Sequence, residues 1–220
     1  MIDIESINAG FSRKAQVYDA YCENHPVIRW ARGLARAQML AHVPPGGAIL
    51  ELNAGTGADA AFFVERGYRV HATDVADGMV AEIAAKIEAS GRRERFTVQQ
   101  CSFTELDRVW GGPYDAVFSN FGGLNCIPDL RDVTRALPKV LKPGGFAVWV
   151  VMPPICPWEL AQALRGHWRT ATRRLHHGGV LANVEGAKFL AYYFTPGAVA
   201  RAFGPGFRRV ALQSFSLFCP

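Results

Sequence analysis

Between residues 48 and 152, short apolar runs alternate with stretches of helical periodicity, and this alternation restricts the chain to one class of architecture. The run 48–52 is followed by a helical pattern over 58–66, and the run 69–73 by one over 78–90. The run 96–100 comes next. The run 116–119 precedes a helical pattern over 130–141, and the run 146–152 closes the series. Strands that alternate with helices pair in parallel through crossovers, which places helices on both faces of the sheet. The expected fold is therefore α/β: three layers, doubly wound, with a mostly parallel sheet. A chain of 220 residues, half of them hydrophobic, can bury one sizeable core but not two. Residues 1–220 are accordingly read as a single domain.

Two segments stand outside the alternation. Residues 8–42 read as helical, with Ser12 as a candidate cap and a break at His25-Pro26, so 1–42 is expected to form an N-terminal helical lid. Pro44-Pro45-Gly46-Gly47 is a turn. Residues 153–194 carry a helical pattern over 158–174, a turn at His176-His177-Gly178-Gly179 and a strand-like run 188–194. The segment is too short for a core of its own and reads as an inserted cap. A short helix over 196–203 and a strand over 207–218 end the chain.

Composition excludes several classes. No run approaches the roughly 20 apolar residues of a membrane helix. The N-terminus is acidic and carries no basic segment followed by an apolar one, so a cytoplasmic protein is expected. The five cysteines, at 22, 101, 126, 156 and 219, form no C-x-x-C pair, which argues against a disulfide framework or a zinc site; no metal is expected. The net charge of +5 comes from the last third, where eight Lys or Arg face two Glu after residue 150. This excess is either a solvated face or a patch that attracts an acidic substrate or nucleic acid.

The chemistry concentrates where the first runs end. Glu51-Leu52-Asn53-Ala54-Gly55-Thr56-Gly57 leads into a helix, and glycines there let backbone approach a ligand with free N–H groups at the helix start. Gly55, Gly57 and Ala60 fit the G-x-G-x-x-A fingerprint of nucleotide sites. Asp74 ends the second run, where a carboxylate accepts hydrogen bonds from ribose hydroxyls. The two features together point to a nucleoside ligand. Glu51, at the mouth of the loop, repels a pyrophosphate and favours a cationic ligand; a structural hydrogen bond to the loop is the alternative role for it.

The run 49–57 resembles the first motif of the class I S-adenosylmethionine-dependent methyltransferases. Val70-His71-Ala72-Thr73-Asp74-Val75 with Gly78-Met79 resembles their second. Tyr114-Asp115-Ala116-Val117-Phe118-Ser119-Asn120-Phe121-Gly122 resembles their fourth, and Leu141-Lys142-Pro143-Gly144-Gly145 the turn before their fifth strand. Phe11 to Tyr18-Asp19 is similar to the N-terminal helix of the group that includes ubiquinone- and biotin-pathway methyltransferases. The resemblance implies a Rossmann-like methyltransferase fold and transfer of a methyl group from S-adenosylmethionine to an O, N or C atom of a small molecule, leaving S-adenosylhomocysteine. It implies that Glu51, Asn53, Gly55 and Gly57 form the loop against the methionine part, and that Asp74 holds the ribose. Val75 and Met79 would sandwich the adenine, and Ser102 and Phe103 would flank its edge. Asn120 and Phe121 would lie beside the methionine chain, with Tyr18 and Tyr21 closing over the site. Ordinary core packing is the competing role for Met79, Phe103, Phe121 and the two tyrosines. No catalytic base is identified; His176, His177 and Glu159 in the cap are the candidates.

Two departures from the family pattern bear on affinity. Asn53 stands where glycine is usual, and asparagine tolerates left-handed backbone. Ser102 stands where an acidic residue usually accepts the adenine amino group. Three rival readings remain in view. A nicotinamide-dependent oxidoreductase shares the glycines and Asp74, but not Glu51 or the 119–122 run. A non-catalytic Rossmann-like module would retain the fold without transfer. A nucleic-acid methyltransferase would use Cys126 or Cys156, but Asn125 rather than proline precedes Cys126.

Overall fold

A computed structural model describes residues 3–215. Two helices open it, α1 (Ile4–Asn24) and α2 (Pro26–His42), separated where Pro26 leaves His25 in extended backbone. The alternating region follows: β1 (Ala48–Leu52), α3 (Ala58–Glu65), β2 (Arg69–Asp74), α4 (Asp77–Ser90), β3 (Phe96–Gln100) and β4 (Tyr114–Ser119). Two short helices, α5 (Arg131–Thr134) and α6 (Leu137–Val140), precede β5 (Leu141–Trp149). The strands form one sheet in the order β3-β2-β1-β4-β5, and every pairing is parallel.

Residues of β1 and β4 are mostly apolar, with Glu51 and Asp115 as the charged exceptions, because both faces of the sheet are covered. Ile49, Leu50, Leu52, Ala116, Val117 and Phe118 are all fully buried. The two-residue period of the strand divides them. Ile49, Ala116 and Phe118 join a core with Met39 of α2, Phe63 of α3 and Ile83 of α4. Leu50, Leu52 and Val117 join a second core with Val133, Leu137 and Val140 of α5 and α6. These are the three layers.

The chain order reverses between β1 and β4, so the loops after these two strands diverge and leave a crevice at their carboxyl ends. The helix α1 lies over that region because it caps another helix. The residue at the N-cap of α4, Ala76, has no polar side-chain group to bond the orphan N–H groups. Asn8 accepts from the Asp77 N–H and Ser12 from the Gly78 N–H, each at 2.9 Å. Ser12 thus caps α4 and not its own helix, which Asp3 caps.

Beyond β5 come α7 (Pro157–Ala161), α8 (Trp168–Thr172), the strands β6 (Val180–Val184) and β7 (Ala187–Ala191), and α9 (Pro196–Phe203). The single helix expected over 158–174 is broken, because Gly166 turns left-handed (φ 80°) between α7 and α8. Arg165, Arg169 and Arg173 therefore do not line one helical face; Arg173 and Arg174 both pair with Glu159 at 2.6 Å. The helix expected over 130–141 is likewise split, and Leu141 already belongs to β5. Only 188–191 of the run 188–194 are strand; they belong to β7, which pairs antiparallel with β6 in a separate two-stranded sheet. Residues 207–215 are not a strand, and 216–218 lie outside the described residues. Among the described residues no helix is long and apolar enough to cross a membrane, and the four cysteines are free thiols.

Candidate functional site

The loop after β1 reaches its conformation through three left-handed residues: Asn53 (φ 44°), Gly55 (φ 58°) and Gly57 (φ 76°). At Gly57 a Cβ would come within 2.9 Å of Ile83, so glycine here lets α3 start close against α4. The loop after β4 has the same character, with Phe121 (φ 51°) and Gly122 (φ 69°). A left-handed non-glycine residue costs on the order of 1–3 kcal/mol and survives only where its surroundings fix it. Here the two loops fix each other: the Asn53 side chain accepts from Ser119 Oγ at 2.7 Å and donates to the Asn120 carbonyl at 3.1 Å. Both polar ends of Asn53 are thereby engaged within the protein.

Asp74 ties β2 to the first loop. Its Oδ2 accepts from the Gly55 N–H at 2.8 Å and its Oδ1 from the Ala76 N–H at 2.9 Å. Burial outweighs these bonds and pushes its pKa up to about 6. Glu51 is only 2% exposed, and its Oε2 has no hydrogen-bond partner. Burial first, and the neighbouring Asp59 carboxylate second, hold Glu51 well above the ordinary carboxylate range.

A second polar cluster flanks Glu51. Asp59, at the start of α3, accepts from Arg36 Nε at 2.6 Å and from Asn120 Nδ2 at 3.0 Å. Arg32 lies 3.6 Å from the same carboxylate, with its guanidinium 4.9 Å from the Phe121 ring centre and its Nε without a hydrogen bond.

Asn53, Gly55, Asp74, Glu51, Asp59, Asn120, Phe121 and Arg32 border one cavity of about 280 Å³. Of the residues singled out from the sequence, Tyr18, Glu51, Asn53, Gly55, Asp74, Val75, Met79, Ser102, Phe103, Asn120 and Phe121 line it. Gly57, at the end of the loop, does not line the cavity, and neither does Tyr21, which lies nearly one helical turn further along α1 and is half exposed. His176 and His177 are exposed and Glu159 is engaged by arginines, so none of the three cap candidates reaches the cavity. The Ser102 hydroxyl lies 2.8 Å from that of Thr104. Burial raises the Tyr18 phenol, which stays protonated, and pushes the Cys126 thiol up to about 12.

Sequence reading missed Arg32, Asp59 and the roof. The spacing of Arg32 and Arg36, one turn apart in a helix that buries Ala31, Ala35 and Met39, was a usable signal for a partly buried acidic partner. The roof had none. Ala182 and Val184 of β6, and Phe189 and Ala191 of β7, reach the cavity with Ile7 and Phe11 of α1. Asn125 fastens this hairpin: its side chain accepts from the Met152 N–H at 2.8 Å and donates to the carbonyls of Met152 and Tyr192.

Residues 49–145 match the family model described as a methyltransferase domain. A demethylmenaquinone methyltransferase from Beutenbergia cavernae is 33% identical over 124 residues, which are 56% of this chain and 48% of that protein. The chain spans about half the length of the curated relatives it matches. Among solved structures, the 1,6-didemethyltoxoflavin-N1-methyltransferase of Burkholderia thailandensis, with bound 1,6-didemethyltoxoflavin and S-adenosylhomocysteine, superposes with a TM-score of 0.61. It is 20% identical, and the match covers 92% of this chain and 76% of that one. The DhpI-SAM-HEP complex superposes with a TM-score of 0.62 at 20% identity, over 90% and 86% of the two chains. Residues 49–145 are thus similar to a methyltransferase domain, and the chain as a whole, with its motifs on the switch-point loops of a five-stranded parallel sheet, shares the fold of these methyltransferase structures.

Proposed function

We propose that this chain transfers a methyl group from S-adenosylmethionine to an O, N or C atom of a small-molecule acceptor, with S-adenosylhomocysteine as the second product. The observation that carries the reading is the partnerless carboxylate oxygen of Glu51 at the cavity wall, beside the glycine loop and Asp74. A buried unpaired carboxylate is costly, and a cation removes the cost. The ammonium of the methionine part is such a cation; a pyrophosphate is not. The residues present fit the rest of the ligand. Each Asp74 oxygen uses one lone pair on backbone and has another for a ribose hydroxyl. Arg32 also lines the cavity, and its guanidinium, which pairs with Asp59 through Nε at 3.6 Å, would be the cation for the carboxylate of the methionine part. Val75, Met79 and Phe103 supply apolar surface for the adenine, and Ser102 a hydroxyl at its edge. Asn53, Gly55 and Gly57 shape the loop, Asn120 and Phe121 border the methionine chain, and Tyr18 closes over it.

When bound, S-adenosylmethionine supplies an electrophilic methyl carbon on a sulfonium. The chain's own part is to hold the two reactants in line and to exclude water. In this reading residues 1–220 are one domain, residues 1–42 act as a lid and 153–194 as a cap. Those two segments supply the roof, and an enclosed apolar roof favours a small acceptor over nucleic acid. The test is to incubate the protein with tritium-labelled S-adenosylmethionine and a panel of small acceptors, and to follow labelled product and S-adenosylhomocysteine together. Both forming in equal amounts supports the reading. Binding of the cofactor without transfer to any acceptor, or binding of NAD in its place, overturns it.

A further inference from the structure

The proposed function leaves the acceptor open, and the cavity's roof narrows it. The roof is contributed by Ile4, Ile7 and Phe11 of α1, Met152 after β5, and the inward face of the hairpin, where Ala182, Val184, Phe189 and Ala191 alternate with outward residues. None of these carries a charge or a hydrogen-bonding side chain. Asn125 also borders the cavity, but its amide is committed to Met152 and Tyr192. The titratable groups of the whole lining are Tyr18, Arg32, Glu51, Asp59, Asp74, Cys101 and Cys126, with no histidine or lysine. Glu51 of β1, Asp74 of β2 and Arg32 of α2 are assigned above to the cofactor, and Asp59 is engaged by Arg36 and Asn120. Tyr18 and the two cysteines are all shifted upward by burial, so they are protonated and cannot take a proton.

An apolar roof disfavours an ionised acceptor, because nothing there offsets its desolvation. A lining without a free base disfavours an alcohol, phenol or thiol, each of which must lose a proton to attack well. What meets both conditions is a neutral nucleophile with an exposed lone pair and no proton to lose. We infer, resting on the methyltransferase reading, that the acceptor is a neutral, apolar heteroaromatic compound methylated on a ring nitrogen. The nitrogen lone pair forms the new N–C bond and the C–S bond breaks, its electrons remaining on sulfur. One positive charge moves from sulfur to nitrogen and no proton is transferred. A flat ring suits a roof whose apolar side chains include the Phe11–Phe189 pair, with ring centres 6.0 Å apart. The product is a cation under an apolar roof, which favours its release.

A set of bicyclic probes of nearly one shape tests this: isoquinoline, 2-naphthol, 2-naphthalenethiol and 2-naphthoate. Isoquinoline should yield N-methylisoquinolinium with a kcat/KM at least about tenfold above the other three near neutral pH, and its profile should be flat above the pKa of its own nitrogen. Binding is read separately by calorimetry on the protein loaded with S-adenosylhomocysteine. Isoquinoline should bind, and Ala182→Trp, which fills the roof, should weaken it about tenfold or more while leaving S-adenosylhomocysteine affinity unchanged. A naphthol or thiol methylated as well as isoquinoline, with a rate that climbs tenfold per pH unit, would overturn the inference. So would S-adenosylhomocysteine binding in a protein that neither binds nor methylates isoquinoline. Failure to bind S-adenosylhomocysteine at all would instead strike the underlying methyltransferase reading.

Discussion

Replacing Asp74 by asparagine separates the chemistry of its carboxylate from its shape. In the folded protein Asp74 is 8% exposed, receives two backbone N–H groups, and has a pKa pushed by burial to about 6 from an ordinary 3.8. If ribose hydroxyls donate to the ionised form, affinity for S-adenosylhomocysteine should follow the ionised fraction. That fraction falls about tenfold between about pH 7 and about pH 5, or ~1.4 kcal/mol. Asp74→Asn should lose ~1.5–3 kcal/mol of binding near neutral pH, the usual size for a hydrogen bond to a charged group, and should lose the step near pH 6. Stability carries the opposite sign. Because the folded pKa is raised, the group's contribution is complete below about pH 4 and is lost as pH rises through about 6, up to ~3 kcal/mol for a shift of about two units. The unliganded parent should therefore lose stability relative to Asp74→Asn over that window. Calorimetric titration at a series of pH values reads the first effect and urea unfolding the second. Since Glu51 also titrates upward, the difference between parent and variant is the quantity to compare. Equal pH profiles for the two proteins would refute the role given to the carboxylate.

Glu51→Gln removes a buried carboxylate with no partner on one oxygen. Unfolding should show the unliganded protein stabilised by ~1 kcal/mol, while titration shows S-adenosylhomocysteine bound more weakly by ~1.5–3 kcal/mol; a loss of stability instead would mean that the carboxylate is structural. Asn125→Ala leaves Met152 N–H and two carbonyls without their partner, and should cost ~1–3 kcal/mol. Hydrogen exchange should quicken in β6 and β7 and stay slow in β1 and β4; uniform change would refute the clamp. At Gly78 a Cβ would meet the Ser12 carbonyl oxygen at 2.6 Å, so Gly78→Ala should push α1 off α4, costing ~1–3 kcal/mol in urea unfolding and weakening S-adenosylhomocysteine binding. Unchanged unfolding and binding would contradict the docking of α1 described above.

The central strands were legible because residues buried on both faces leave short, mostly apolar runs, and the glycines because left-handed turns demand them. The loop and Asp74, at the end of the second run, were legible in the residues themselves, whereas Met79 and Phe121 came from the family resemblance alone. What could not be read depended on partners distant in sequence. Ser12 has the composition of a helix cap, and it is one, but for α4; only the docking of α1 decides which N–H groups it meets. The expected helix over 158–174 ignored Gly166, which is affordable in a helix pattern but takes a left-handed turn here. Tyr21 shares a helical face with Tyr18, so the period alone brings it to the site; its place further along α1 leaves it half exposed outside the cavity. The hairpin roof gave an alternating pattern in β7 that was legible as a strand, yet nothing in it named the cavity as the buried side. Asparagine's tolerance of left-handed backbone accounts for Asn53 at φ 44°, but its amide also joins the two loops, a role that depends on Ser119 and Asn120 far along the chain.

A crystal structure of the protein with S-adenosylhomocysteine tests the account at its centre. The expected complex has the ammonium at the Glu51 carboxylate, both ribose hydroxyls on Asp74, and the adenine between Val75, Met79 and Phe103, with the sulfur facing the roof under Phe189. A complex in which Glu51 Oε2 stays without a partner while the ligand binds elsewhere, or in which Asp74 touches no ribose hydroxyl, would contradict it.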